Sequence, residues 1–266
     1  MLSDLVTLYQ GRRLRLTQRV RLRKWSIGRT LDQMARAGFV DQAAVPKSGN
    51  SQVLTWSPAE NPEHKVFREI ATQTQCSFAR SAVAWSIERQ LDPGDPDDLD
   101  YLSRRLAGFT CAVRREPLGC FVATFASTHG NTVDALSATT NSVLRRLARR
   151  DGIGAPFGNP ASPHWRFVFH GEIYFVLAIG PCYPLTHARY GFEVPRTVLI
   201  FQPDTAFLRA AGRNGLISTS VRNRIRAKYE SAGRGYEVSL TESPVESHRF
   251  VKPLQGDEAV RWWEAR

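Results

Sequence analysis

From Glu63 to Gln90 the apolar positions recur at helical spacing on both sides of one cysteine. Val66, Phe67 and Ile70 form a stripe before Cys76. Phe78, Ala82, Trp85 and Leu91 form another after it, widened by Ala79, Val83 and Ile87. The pattern predicts two amphipathic helices, with a break and a capping position among Thr72, Thr74 and Ser77. The run Asp92-Pro93-Gly94-Asp95-Pro96 ends one helix and starts the next, with Asp95 as N-cap and Pro96 at the first helical position. That helix is expected to reach about Ala107. A long helix is expected from Asn131 to Arg150, with Val133, Leu136, Val143, Leu144 and Leu147 inward and Gly152 as its stop.

Strand signals occupy the remaining apolar runs. Residues 119–126 read as a buried strand. Phe167 and Phe169, then Ile173, Phe175 and Leu177, alternate about His170-Gly171 and predict a tight hairpin. Val198 to Phe201 supplies a third strand, after an irregular loop from Pro181 to Pro195. Helices follow at Phe207-Leu208 and at Ser220 to Glu230, and an amphipathic end carries Trp262-Trp263. The expected fold class is α+β: helices packed on a small, mainly antiparallel β-sheet with strands near 119–126, 165–170, 173–179 and 197–202.

Charge divides the chain. There are 36 Lys and Arg against 25 Asp and Glu, a net +11. Residues 1–50 hold ten of the cations and three Asp, so +7 sits there. We read residues 1–55 as a basic N-terminal extension and 56–266 as the folded domain, joined by Pro-, Gly- and Ser-rich text at 41–62. The extension makes nucleic acid or an anionic surface a competing partner. The 31 arginines against five lysines also fit a GC-rich bacterial genome, which weakens charge as a functional signal. No run approaches the ~20 apolar residues of a membrane span. The first residues lack the pattern of a secretory signal. Four cysteines, at 76, 111, 120 and 182, show no C-x-x-C pair. A reducing cytoplasm, no membrane and no obligatory disulfide are the expectations.

Candidate chemistry starts at Cys76. A cysteine beside a helix N-terminus gains thiolate character, the form that binds metals or attacks electrophiles. An inert, buried cysteine is the competing reading. His64, His170 and His187 are further donors, and Glu172 follows the hairpin turn between aromatics. A Cys76 nucleophile with His170 or His187 and Glu172 is one enzyme reading. The glycines of 151–164 follow a helix, not a strand, so a dinucleotide loop fails on context. Arg145, Arg146, Arg149 and Arg150 complement the dipole at a helix C-terminus.

Two blocks of the chain resemble the YqcI/YcgG family. The first is a helix, then Cys76-x-Phe78-x-x-x-Ala82, then a second helix; Thr74-Gln75 stands where the family usually has Phe-Pro. The second comprises Gly171-Glu172, Phe175-Val176, Pro181, Arg189 and Phe201-Gln202-Pro203, followed by an arginine-rich helix ending in Lys228-Tyr229. The resemblance covers roughly residues 60–230.

The resemblance implies a heme protein that hydroxylates or oxidises a nitrogen centre, a guanidine such as arginine's or an amine, in bacterial natural-product biosynthesis. Without a C-x-x-C-H site the heme would be held non-covalently. Cys76 is then the first choice of iron ligand and His64 the second. Phe78 would line the slot. Arg80, His187 and Arg189 would meet the propionates, and Glu172 would hold a cationic substrate through a charge-assisted pair. The oxidant would be O2 or peroxide, with electrons from a separate reductase. A heme sensor or binding protein is the alternative from another class.

Overall fold

Three long apolar runs become the centre of a five-stranded sheet. The computed structural model describes residues 61–151, 157–210, 218–235 and 237–266. The basic extension, its boundary at residue 55 and Gly152 lie outside the described residues. The elements are α1 (Pro62–Gln73), α2 (Ser77–Ser81), β1 (Ala84–Ser86), α3 (Pro96–Val113), β2 (Cys120–Ala126), α4 (Val133–Arg150), β3 (Phe167–Phe169), β4 (Glu172–Ile179), β5 (Arg196–Pro203), α5 (Asp204–Ala210), α6 (Thr219–Ser231) and α7 (Val238–Glu242). Short 3-10 turns span Ser127–Gly130, Glu246–Arg249 and Trp262–Glu264.

The sheet order is β1-β2-β5-β4-β3. Val122 faces Ile200, and Ile200 faces Leu177, in antiparallel pairings. β3 and β4 form the expected hairpin. β1 pairs with β2 in parallel, Trp85 opposite Phe121, so the sheet is mixed although three of its four pairings are antiparallel. Cys120 to Phe125 and Tyr174 to Ile179 are buried without alternation, because the central strands are covered on both faces. The fold is α+β.

Turn chemistry sets the register. His170 and Gly171 both have positive φ, 48° and 72°, the geometry of a two-residue hairpin loop that matches strand twist. Gly180 allows a close approach: a Cβ there would sit 2.6 Å from the Gly130 carbonyl oxygen. That oxygen accepts from the Cys182 N–H at 3.0 Å.

Caps fix the helices. Asn61 accepts from the N–H groups of Glu63 (2.9 Å) and His64 (3.2 Å), with Pro62 next in line. Its amide donates to Ser86 Oγ and the Ile87 carbonyl, both at 2.9 Å, which ties the start of α1 to β1. Asp95 caps α3 as expected, accepting from Asp97 N–H at 2.9 Å. α3 runs past Ala107 to Val113 because Phe109 and Val113 continue its buried stripe. Arg146 and Arg150 of α4 pair with Asp100 of α3, at 3.2 and 2.5 Å.

The region after Cys76 departs from the periodicity. The second helix stops at Ser81, and Trp85 lies on β1 instead. Val83, Trp85 and Ile87 alternate with smaller residues, so the same text also carries a strand pattern. Parallel pairing with β2 and the edge contact of Trp85 on Phe109 (5.9 Å) select the strand.

The last residues complete the core. Trp262 stacks on Phe250 at 5.6 Å and donates to the Ser247 carbonyl at 2.9 Å. Asn141 of α4 donates to the Ala265 carbonyl at 2.7 Å. Among the described residues no helix is long and apolar enough to cross a membrane.

Candidate functional site

Cys76 lies where α1 gives way to α2. Its backbone is extended, φ −75° and ψ 107°, and the residue is 1% exposed within the core. α2 is a single five-residue turn, so it carries little of the dipole that a full helix would supply. None of its residues is fully buried, though Ala79 packs half-buried against the core. Phe78 is half-buried against the core. Arg80 folds back over the junction and donates to the Thr74 carbonyl at 3.2 Å. The Arg80 carbonyl in turn accepts from Arg68 Nη1 at 3.4 Å. The Thr74 hydroxyl meets the Tyr229 hydroxyl of α6 at 2.7 Å. Cys76, Phe78 and Arg80 are thus brought together.

His64 is not brought to them. It sits in the first turn of α1, ten residues before Thr74, and ~15 Å of helix separates the two ends. Burial, then the Arg68 charge, lowers its proton affinity, so its imidazole is neutral at pH 7. Beside it, Glu63 is buried and accepts from Thr124 Oγ1 (2.6 Å) and Arg196 Nε (3.4 Å).

His187 and Arg189 form a second cluster, against the C-terminal segment. The His187 ring lies flat on Tyr183, centroids 4.3 Å apart. Its Nδ1 accepts from the Arg189 N–H at 2.9 Å. Its Nε2 donates to the Pro253 carbonyl at 3.1 Å and lies 3.5 Å from Glu237 Oε1. Lys252, 1% exposed, holds Glu237 at 2.8 Å. Tyr183 Oη donates to the Lys252 carbonyl (3.0 Å) and accepts from its N–H (2.9 Å). Arg189 Nη2 donates to the Arg249 carbonyl at 2.7 Å. Burial drives the His187 pKa down to about 4, against the pull of Glu237. Burial pushes Glu237 up, but the Lys252 ammonium holds its carboxyl below the ordinary range. The result is a neutral imidazole beside a paired carboxylate and ammonium.

Glu172 lies elsewhere again. Its two oxygens accept from Thr205 N–H and Thr205 Oγ1, both at 2.9 Å, and so anchor the start of α5. The loop holding His187 leaves the opposite end of β4, ~24 Å along the strand. His170 caps the hairpin tip on the β3 edge, while α1 packs beside β1 and β2. Four strand spacings, ~19 Å, lie between the two edges.

The remaining thiols offer less. Burial pushes Cys120 up to about 12 and Cys182 up to about 11. All four cysteines are free. Among the described residues no group of three or more His, Cys, Asp or Glu is placed to hold a metal ion.

Sequence reasoning named Thr74 only as a capping position and Tyr229 only as the end of the arginine-rich helix, and it missed Tyr183, Glu237 and Lys252. Lys252 carried a usable signal: a lone lysine inside the apolar run Phe250-Val251-Lys252-Pro253.

A model of the YqcI/YcgG family matches residues 66–243. The chain belongs to that family, and the match spans Cys76, the hairpin, the 181–195 loop and α6. No curated protein and no solved structure matches it.

Proposed function

We propose that this member of the YqcI/YcgG family is a cytoplasmic heme-dependent oxygenase that hydroxylates or oxidises a guanidine or amine nitrogen in bacterial natural-product biosynthesis. The observation that carries the reading is the α1–α2 junction. It sets a cysteine within the apolar core, with Phe78 two residues on and the guanidinium of Arg80 turned back to the Thr74 carbonyl. That donor set suits a heme: a soft ligand for iron, an aromatic side chain for the macrocycle and cations for its carboxylates. Cys76 would hold the iron, and Arg80 with Arg68 would meet the propionates. A bound heme supplies oxygen activation, which a thiolate ligand promotes. Phe78 and the core behind it exclude water.

In this reading His187 and Arg189 hold the 181–195 loop against the C-terminal segment, and their polar atoms are engaged there. Glu172 positions α5. A cysteine nucleophile gains no support from these positions: His170 lies across the sheet, and both ring nitrogens of His187 have partners.

The test is expression with a heme precursor, followed by heme quantitation and turnover of guanidine and amine substrates with O2 and a reductase, or with peroxide. One heme per chain and a hydroxylated nitrogen product are expected. Heme without turnover of any substrate would favour a sensor, and no heme after ample precursor would end the proposal.

A further inference from the structure

We propose that the outer face of α6 is the docking surface for an acidic electron-carrier protein. The inference rests on the heme reading of the α1–α2 junction and names the partner that this site would need.

α6 buries only Ile225 and Tyr229, one stripe at i and i+4. The rest of the helix carries Arg222, Arg224, Arg226 and Lys228 against one acid, Glu230. Arg224 and Lys228 are exposed, and neither has an acidic partner among the described residues. Arg222 donates to Thr219 Oγ1 at 2.9 Å, and Arg226 reaches Glu242 only at 3.4 Å.

This is not the charge pattern of a merely solvated helix. Arg222 and Arg226, and likewise Arg224 and Lys228, are like charges four residues apart, which repel on a helix surface. The first turn has no acid to complement the dipole, and two arginines follow closely after it. Only Lys228 in the last turn and the Arg226–Glu242 contact offset this repulsion. A negative partner would relieve the repulsion.

The position of the face suits electron delivery. Tyr229, on the inner side, reaches Thr74 at 2.7 Å, two residues from Cys76. One helix diameter, ~10 Å, therefore separates the cationic face from the junction. The carrier would lose one electron, and ferric iron held at Cys76 would take it and become ferrous. Nucleic acid fits less well. Four cations on this helix neutralise few phosphates, and the aromatic residue of α6 is turned inward, away from stacking.

The experiment uses the full chain, with and without heme, and a plant-type [2Fe–2S] ferredoxin as the acidic probe. Binding is measured by calorimetry at low and high salt for wild type and for Arg224→Glu/Lys228→Glu. The expected result is binding by wild type that weakens steeply with salt, and at least about tenfold weaker binding by the variant. Heme content and the dithionite-reduced spectrum should be unchanged, because both residues are exposed. Equal binding by the two proteins would overturn the proposal, as would no binding by wild type or stronger capture of a DNA duplex than of ferredoxin. Binding is read on the heme-free protein as well, so absence of heme would defeat the functional reading without being mistaken for failure of the surface.

Discussion

The hydroxyls of Tyr229 and Thr74 lie 2.7 Å apart and are both buried, joining α6 to the turn that carries Cys76. Their separation of 155 positions makes the pair a long-range clasp. Removing the Tyr229 hydroxyl leaves the buried Thr74 hydroxyl with only a long 3.5 Å contact from the Cys76 N–H, at a cost of about 1–3 kcal/mol. Tyr229→Phe should lower stability in urea unfolding by about that amount. If the clasp sets the site, the variant should also shift the spectrum of bound heme, and an unshifted spectrum would make it a stability element alone.

Lys252 and Glu237 give a sharper stability test. Both partners are largely out of water, and the lysine is almost fully so. Breaking a buried pair from one side typically costs about 3–5 kcal/mol, whereas apolar replacement of both can be nearly neutral. Lys252→Met should therefore be strongly destabilising. Lys252→Met with Glu237→Leu should recover most of the loss. Equal destabilisation in the single and double variants would show that the pair is not coupled.

The same cluster predicts how stability responds to acid. His187 has a folded-state pKa of about 4, below the unfolded 6.5. Between those values the unfolded chain binds the extra proton, so stability rises with pH across the window and falls as pH drops from 6.5 towards 4. The order of magnitude is about 3 kcal/mol. Glu237 acts in the same direction at lower pH, since its carboxyl is held below 4.5 in the folded state. A urea midpoint series from pH 7 to 4 should show the decline, and His187→Gln should flatten its upper part. An unchanged slope would place the acid sensitivity elsewhere.

Glu172 separates a structural from a substrate role. As the anchor of Thr205 at α5, Glu172→Gln should cost about 1 kcal/mol of stability, with KM little changed. A large rise in KM for a cationic substrate at unchanged stability would restore the substrate role.

Much of the sheet was legible because its central strands are continuous apolar runs bounded by turn residues. Cys120–Ala126, Glu172–Ile179 and Arg196–Pro203 fall within a few residues of the expected strands. The hairpin at His170-Gly171 was legible from turn chemistry, and α3 from Asp95-Pro96. β1 was not, because three residues with helix-compatible spacing become a strand only through pairing with β2. The site was legible locally and opaque at long range. Cys76, Phe78 and Arg80 are neighbours in sequence and in space. His187 and Arg189 carry the right chemistry, but their partners Glu237, Arg249 and Lys252 lie tens of residues away, and spacing does not encode such pairs. Glu172 looked available because its partner, Thr205, comes from a helix on the far side of β5 in sequence.

The most direct measurement of the central claim is the absorption spectrum of reduced, carbon monoxide-treated protein, wild type beside Cys76→Ala, after expression with a heme precursor. A strongly red-shifted Soret band in wild type that is lost in Cys76→Ala is the predicted result. An ordinary Soret band unchanged by the substitution would move ligation to a histidine such as His64, and no Soret band in wild type would contradict the account.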